Sequence, residues 1–526
     1  MTGARPLGGL IDRLSAEGRL RGTRLDGRPV GAAALTGIAV RGVTHDSRAV
    51  VPGGLFVAIP GARADGHDFA AAAIGRGAAG LIVERPLPDL AIPQVVVDAT
   101  RPALASAAAW WFGDPSAELT VVGITGTDGK TTTSYLAVAA LEAAGHPTGM
   151  LGTIATRVGG RTTDHDEHAT TPEAPELQAE LRAMADGGDE VAVIETTSHG
   201  LALERVGSIQ YDIAVLTNVT HEHLELHGTW EAYRDAKLSL FQRLRAADPK
   251  RTTLAVQPAA IVNLDDPSAG RFIGVARDAR ARVVTYGTQP AADVHANHIA
   301  ESATGVRVDV VAPSGASRLE LKLPGRFNAL NALAVVALGE ALALDPVAVR
   351  DGLAGLERVP GRMERVAAGQ PFEVIVDFAH SPVSLGTVLD LLAPQAAARG
   401  GGIIAVFGSA GERDTAKRPL MGRIAGERCR LVVLADEDPR AEDREAILDE
   451  IARGAESSGR RRGHDLLLIA DRRAAIEAAI EAARPGDVVL LAGKGHERSI
   501  AGPDGDEPWD ERATALAVLA GLGYSG

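Results

Sequence analysis

The chain has 526 residues, 45% of them hydrophobic, and a formal net charge of -14. That length suggests three or four domains with proper cores, and that charge makes the surface as a whole a poor match for DNA or another polyanion. Cys429 is the single cysteine, which excludes an internal disulfide and any cysteine-based zinc cluster.

The N-terminal stretch MTGARPLGGLIDRL has no apolar core of signal-peptide length. No apolar run approaches the roughly 18 residues of a membrane span. The expectation is a cytoplasmic protein without membrane contact. Short β-like runs follow, GLFVAI at 54–59 and GLIVE at 80–84, with an Ala-rich helical stretch, FAAAAIGRGAA, between them. A Gly-Asp-Pro turn signal in WWFGDPSAE, 110–118, closes this first zone.

The second zone opens with the strand LTVVGIT and the loop GTDGKTTT. A loop between a strand and a helix N-terminus offers backbone N–H groups and a positive dipole end to an anion. Gly126 and Gly129 let the backbone approach phosphate, Lys130 can reach the β- and γ-phosphates, and Thr131 can bind Mg²⁺. The spacing departs from GxxxxGK[ST], since Ile124 stands five before Gly129. The following helix, TTTSYLAVAALEAAG, ends at Gly145 as a C-cap. Phosphoryl chemistry needs cations, and hard Mg²⁺ prefers oxygen ligands, so carboxylates at strand ends are the candidates. Glu195 follows the strand in EVAVIETTSHG. Asn218, His221, Glu222, His223, Glu225 and His227 follow the one in YDIAVLTNVTHEHLELHG. Zinc on the His-x-His pair is the competing metal reading. A helix after LPGRFNALNALAVVALGEAL closes the zone.

The third zone starts near VPGRMERV, 359–366. Its strands are FEVIVDF, GGIIAVFGSAG, CRLVVLADEDP, HDLLLIAD and GDVVLLAGKG, with helical segments between most of them. This alternation predicts a doubly wound, mostly parallel α/β sheet with ligands at the carboxyl ends of the strands.

These blocks resemble the Mur ligases, ATP-dependent amide-bond synthetases of peptidoglycan assembly. The resemblance spans nearly the whole chain: HDSRAVVPGGLFVAIPGARADGHDF, TGTDGKTTT, TTPE, SHGL, the TN…HL…HG…Y…AK…LF block, LPGRFNALNA, VPGRMERV, VDFAHSP, VFGSAGERDTAKRPLMG, DEDPR and AGKGHE. The branch nearest in pattern adds a diamino acid to UDP-N-acetylmuramoyl-L-alanyl-D-glutamate. The resemblance implies three α/β domains. They are a UDP-sugar-binding domain at 1–115, a central ATP-binding domain with a parallel sheet like that of P-loop ATPases at 116–355, and a Rossmann-like amino-acid-binding domain at 356–526. It implies ATP and Mg²⁺ as cofactors, an acyl phosphate on the D-glutamate carboxylate, and a monomer that binds small molecules and no nucleic acid.

Residue by residue, the resemblance assigns catalytic or metal roles to Lys130, Thr131, Glu195, His223 and Lys237, the last as a carbamate. Gly126, Thr127, Asp128, Gly129, Thr132, Asn328, Asn331, Arg362 and Asp377 match the ATP site, with His380 close by. Ser47, Thr170, Thr171, Thr197 and Arg205 match contacts to the UDP-sugar dipeptide. Arg413, Asp438, Pro439, Arg440, Gly493 and Glu497 match the pocket for the incoming amino acid.

Several positions depart from the family pattern. Asp128 stands where Asn is common, Phe378 where Tyr is usual, and HEHLEL where the family often has DHLDY. DEDPR replaces the DNPR of diaminopimelate-adding members. Arg440 suits a distal carboxylate, whereas Asp438 would favour an ammonium and admits lysine or ornithine. Diaminopimelate is the expected acceptor. The alternatives are another amide ligase of the superfamily, such as folylpolyglutamate synthetase, and a plain NTPase.

Overall fold

The computed structural model describes residues 3–61, 64–164, 170–220, 227–244, 250, 252, 254, 256–302 and 304–524. Three large sheets follow one another along the chain. The first has the spatial order Arg28–Val30, Leu20–Leu25, Gln94–Val97, Gly80–Val83, Leu55–Val57, Val43–Thr44. Its last four strands run parallel, and Ser47 lies just past the carboxyl end of the outermost one.

The central sheet has eleven strands. Thr120–Thr125 lies between Val191–Glu195 and Ile213–Leu216, parallel to both. The sequences TVVGIT, VAVIE and IAVL carry apolar residues without alternation, and every residue in them is buried. That pattern suits strands covered on both faces, where only parallel pairing with helical crossovers leaves no face wet. Helix Lys130–Ala143 follows the first of these strands, and Gly145 beyond its end adopts φ +88° as its sequence expects. The expectation of a parallel central sheet needs correction at both edges. Ala155–Val158 and Arg161–Asp164 form an antiparallel hairpin at one, and Val294–Ser302, Gly305–Ala312 and Gly315–Leu321 an antiparallel meander at the other. These strands are half exposed and rich in polar residues, so their apolar signal is weak.

The third sheet is parallel through Glu373–Asp377, Val488–Ala492, Ile403–Phe407, Leu431–Leu434 and Leu466–Leu468, with Glu364–Val366 antiparallel at its edge. Helix Thr100–Phe112 of the first unit packs against helix Ala174–Asp186 of the central one. Among the described residues no helix is long and apolar enough to cross a membrane.

Candidate active site

Three parallel strand ends converge where the central sheet changes direction, the position at which such sheets bind ligands. Thr120–Thr125 delivers the glycine-rich loop, Val191–Glu195 delivers Glu195, and Ile213–Leu216 delivers Thr217 and Asn218. The loop is held from below. Thr217 Oγ1 donates to the Asp128 carbonyl at 2.7 Å, Asn218 accepts from the Asp128 N–H at 3.0 Å, and the Thr127 N–H donates to the Asn218 carbonyl at 2.8 Å. Two glycines are required by contact. A Cβ on Gly126 would stand 1.8 Å from Thr217 Oγ1, and one on Gly129, where φ is +85°, would stand 2.5 Å from Asn331 Oδ1. Gly126→Ala is therefore expected to cost about 3 kcal/mol of stability through overpacking and to abolish turnover. A urea midpoint equal to that of the parent would contradict this loop geometry.

Glu195 is fully buried. It accepts from Thr131 Oγ1 at 3.0 Å and from Thr153 through both the backbone N–H, at 3.0 Å, and Oγ1, at 2.9 Å. All three donors are neutral. A buried carboxylate surrounded by hydroxyl oxygens and lacking an ion-pair partner among the described residues suits a hard cation with oxygen ligands. Thr153 Oγ1 also lies 3.0 Å from Thr170 Oγ1, Thr171 Oγ1 meets Thr197 Oγ1 at 3.0 Å, and Arg205 donates to the Thr171 carbonyl at 2.8 Å. The four residues assigned to the sugar–peptide substrate thus stand together beside Glu195. Ser47 lies on another sheet and is half buried.

Lys237 sits on helix Trp230–Gln242 and is 2% exposed. Its Nζ donates to the Gly126 carbonyl at 2.7 Å and lies 4.3 Å from the Tyr233 ring centre. Lys130 Nζ donates to the same carbonyl at 3.0 Å and to that of Thr127 at 2.8 Å. Two ammonium groups thus meet at one carbonyl oxygen. Arg362, from the third unit, stacks 4.4 Å from the Phe378 ring and donates to Thr131 Oγ1 at 3.4 Å. Asp377 accepts from the Met363 and Ala379 N–H groups, and burial pushes its carboxyl up, against the opposing charge of Arg362. Asn331 bonds to Asn328 and faces the phosphate loop, while Asn328 caps the Pro324 carbonyl. Asp128 is exposed, and Thr132 is buried. His223 lies outside the described residues, as do His221, Glu222 and Glu225.

Three family patterns match the chain. The Mur ligase family catalytic domain covers residues 39–109, the Mur ligase middle domain 124–339, and the Mur ligase glutamate ligase domain 361–495. UDP-N-acetylmuramyl-tripeptide synthetase of Roseiflexus sp. (strain RS-1) is 48% identical over 494 residues, which is 93% of this chain and 96% of that protein. The chain belongs to the Mur ligase family. UDP-N-acetylmuramoyl-L-alanyl-D-glutamate–2,6-diaminopimelate ligase of Geobacter metallireducens is 42% identical, covering 88% of this chain and 90% of its own. A solved UDP-N-acetylmuramoyl-L-alanyl-D-glutamate–2,6-diaminopimelate ligase superposes with a TM-score of 0.63 at 30% identity, covering 93% of this chain and 96% of that one. A MurF ligase from Thermotoga maritima in complex with ADP shares the fold, with a TM-score of 0.59 at 21% identity over 91% of this chain and 97% of its own.

This Mur ligase is an ATP-dependent amide ligase, and its third unit holds a second polar cluster at strand ends. Asp438 does meet an ammonium there, but it is that of a neighbouring side chain. Lys494, fully buried, reaches Asp438 Oδ1 at 2.7 Å and Glu497 Oε2 at 2.5 Å. The Ala501 N–H donates to the same Asp438 oxygen at 2.9 Å. Burial pushes the Glu497 carboxyl up, against the pull of Lys494. Gly493, at φ +99°, passes so close to Glu437 that a Cβ would stand 2.8 Å from its Oε2. Arg440 is half buried with φ +55°, Pro439 is buried before it, and Arg413 is exposed.

Sequence reasoning missed several residues of this cluster. Thr153 follows a short strand with no motif around it, yet it donates twice to Glu195. Tyr233 bonds Thr127 Oγ1 at 3.1 Å and underlies Lys237; its place four residues before Lys237 on one helix was the available signal. The Tyr135 phenol is pushed up to about 12, by burial first and then by Glu195 and Asp164, so it stays protonated. Arg472, fully buried, grips Glu511 and bonds the carbonyls of Asp436 and Ala492 at two strand ends. His496 is held neutral, by burial first and then by nearby Arg362 and Lys494.

Proposed function

We propose that this Mur ligase joins a diamino acid, meso-diaminopimelate, to UDP-N-acetylmuramoyl-L-alanyl-D-glutamate in peptidoglycan precursor synthesis. The observation that carries the reading is the convergence of the phosphate loop, the buried Glu195, the Thr170–Thr171–Thr197–Arg205 group and Arg362 on one place. The ATP loop, the acceptor carboxylate's binding residues and a cation from the third unit then share one reaction centre. The close relatives named for this reaction supply the substrate class.

The chemistry follows from the residues. A carboxylate is a poor electrophile. The D-glutamate carboxylate attacks the γ-phosphorus, ADP leaves, and an acyl phosphate forms. The diamino acid's amine then adds to the acyl carbon. The tetrahedral intermediate collapses with loss of phosphate, and the amine proton is lost to solvent. Lys130 and Arg362 neutralise charge on the transferred group, and the threonine cluster orients the acceptor. Mg²⁺, bound through Thr131 and Glu195 together with His223, would supply further charge neutralisation at the phosphates. The three sheets divide the work: UDP at 1–115, ATP at 116–355, amino acid at 356–526. The protein acts as a cytoplasmic monomer.

The reading also assigns Lys237 as a carbamate. Buried Lys237 and half-buried Lys130 share the Gly126 carbonyl beside the phosphate loop. N-carboxylation would make Lys237 an anion facing Lys130 and would add oxygen ligands for a second Mg²⁺. Lys237→Ala is expected to lose at least about a hundredfold in kcat, the scale of one electrostatic group at a reaction centre, and bicarbonate is not expected to restore it. Wild-type enzyme stripped of carbon dioxide should slow and recover with bicarbonate. Near-parental turnover of the variant would refute the carbamate.

The reading as a whole is tested by ligation with ATP, Mg²⁺ and the UDP-sugar dipeptide, supplied separately with meso-diaminopimelate, L-lysine or L-ornithine. Phosphate release and product mass are followed. Release with diaminopimelate, and a product heavier by that residue, is expected. Release with ATP alone would make the protein an NTPase.

A further inference from the structure

The amino-acid pocket carries three acids on two loops: Glu437 and Asp438 after strand Leu431–Leu434, and Glu497 after strand Val488–Ala492. All three are removed from bulk water to a large degree. Left to themselves they would attract an ammonium and repel a carboxylate. The structure places one buried cation among them. Lys494 has no exposure, and its Nζ bridges Asp438 and Glu497 at 2.7 and 2.5 Å. Arg472, the other buried cation nearby, is engaged by Glu511 and two carbonyls. Arg413 and Arg440 have no ion-pair partner among the described residues. Their loops are tied to the cluster through the backbone, Gly411 N–H to the Asp438 carbonyl and Arg440 N–H to the Ala501 carbonyl, both at 2.8 Å.

We propose that Lys494 is the residue that sets amino-acid selectivity, acting through Asp438 and Glu497 as a positioning residue. This inference rests on the ligase reading above. By holding both carboxylates, Lys494 cancels the attraction Asp438 would exert on a ligand's distal ammonium. Glu437, the third acid, faces the buried Arg472, which leaves Arg440 and Arg413 as the charges not offset within the cluster, so the pocket takes a diamino acid that ends in a carboxylate. Asp438 therefore does the work of an uncharged group despite being an acid. The DEDPR motif and the buried lysine of AGKGHE compensate each other across two strands.

The test uses the full-length enzyme and compares kcat/KM for meso-diaminopimelate and L-lysine. Wild type should favour diaminopimelate. Lys494→Met should lower that preference by at least about tenfold, because two desolvated carboxylates lose their counter-charge. The loss should appear in KM for the amino acid, with KM for ATP unchanged. Lys494→Arg should keep the preference. Asp438→Asn, which preserves shape, should leave the preference largely unchanged while Lys494 is present, and should restore part of it in the Lys494→Met background. If Lys494→Met does not fold, the Asp438→Asn measurement decides alone: a preference that moves by about tenfold or more in either direction overturns the proposal. An equal fall in kcat for both amino acids in Lys494→Met would also overturn it, since a structural role would do just that. Wild-type enzyme that prefers L-lysine overturns the selectivity assignment while leaving the ligase reading intact. Wild type that ligates neither amino acid overturns both.

Discussion

Lys130→Met should lower kcat about a thousandfold while the protein remains folded. The side chain is half buried, and its two hydrogen bonds go to loop carbonyls, Gly126 and Thr127, not to core groups. Methionine keeps the length and removes the charge. Removing one preorganised donor from a reaction centre costs up to about 4 kcal/mol of transition-state stabilisation, which corresponds to roughly a thousandfold at about 1.4 kcal/mol per decade. The thermal midpoint should move by only a few degrees. A variant with kcat within tenfold of the parent would place the transferred phosphate away from this loop.

Glu195→Gln should be as damaging, for a different reason. The carboxylate is fully buried and accepts three hydrogen bonds, two of them on Oε2 from Thr131 and Thr153. An amide presents an N–H₂ group in place of one oxygen. With the amide oxygen kept on the two hydroxyls, that group faces the Thr153 N–H, donor against donor, and leaves it unpaired, which costs about 1–3 kcal/mol. The variant also loses the charge proposed to draw Mg²⁺ to Thr131. Turnover should fall about a hundredfold to a thousandfold, and the Mg²⁺ concentration needed for half-maximal rate should rise. Unchanged Mg²⁺ dependence would remove Glu195 from the metal site.

Much of the site was legible because it is written in contiguous motifs. The loop GTDGKTTT puts its glycines and Lys130 within a few residues, and the physical need for a curled backbone at a helix start is local. Glu195 was legible because a charged residue at the end of an apolar strand has few other reasons to be there. Thr153 was not legible, because its role exists only once Thr148–Leu151 pairs beside Val191–Glu195. The partnership of Lys494 with Asp438 was equally hidden: 56 residues separate them, and only the parallel sheet brings their loops together. From the motif alone, Asp438 reads as a free anion awaiting an ammonium. The antiparallel edges of the central sheet escaped for an energetic reason. Their strands bury one face or none, so hydrophobicity does not mark them as it marks the buried parallel strands.

The most direct test follows oxygen atoms. If ATP activates the acceptor carboxylate, one carboxylate oxygen must leave with the phosphate. UDP-N-acetylmuramoyl-L-alanyl-D-glutamate labelled with oxygen-18 in the D-glutamate side-chain carboxylate would be turned over with ATP, Mg²⁺ and meso-diaminopimelate. Inorganic phosphate would then be analysed by mass. Phosphate carrying one labelled oxygen per amide formed is the predicted result. Unlabelled phosphate would mean that water attacks ATP directly, and would contradict the assignment of this site to ligation.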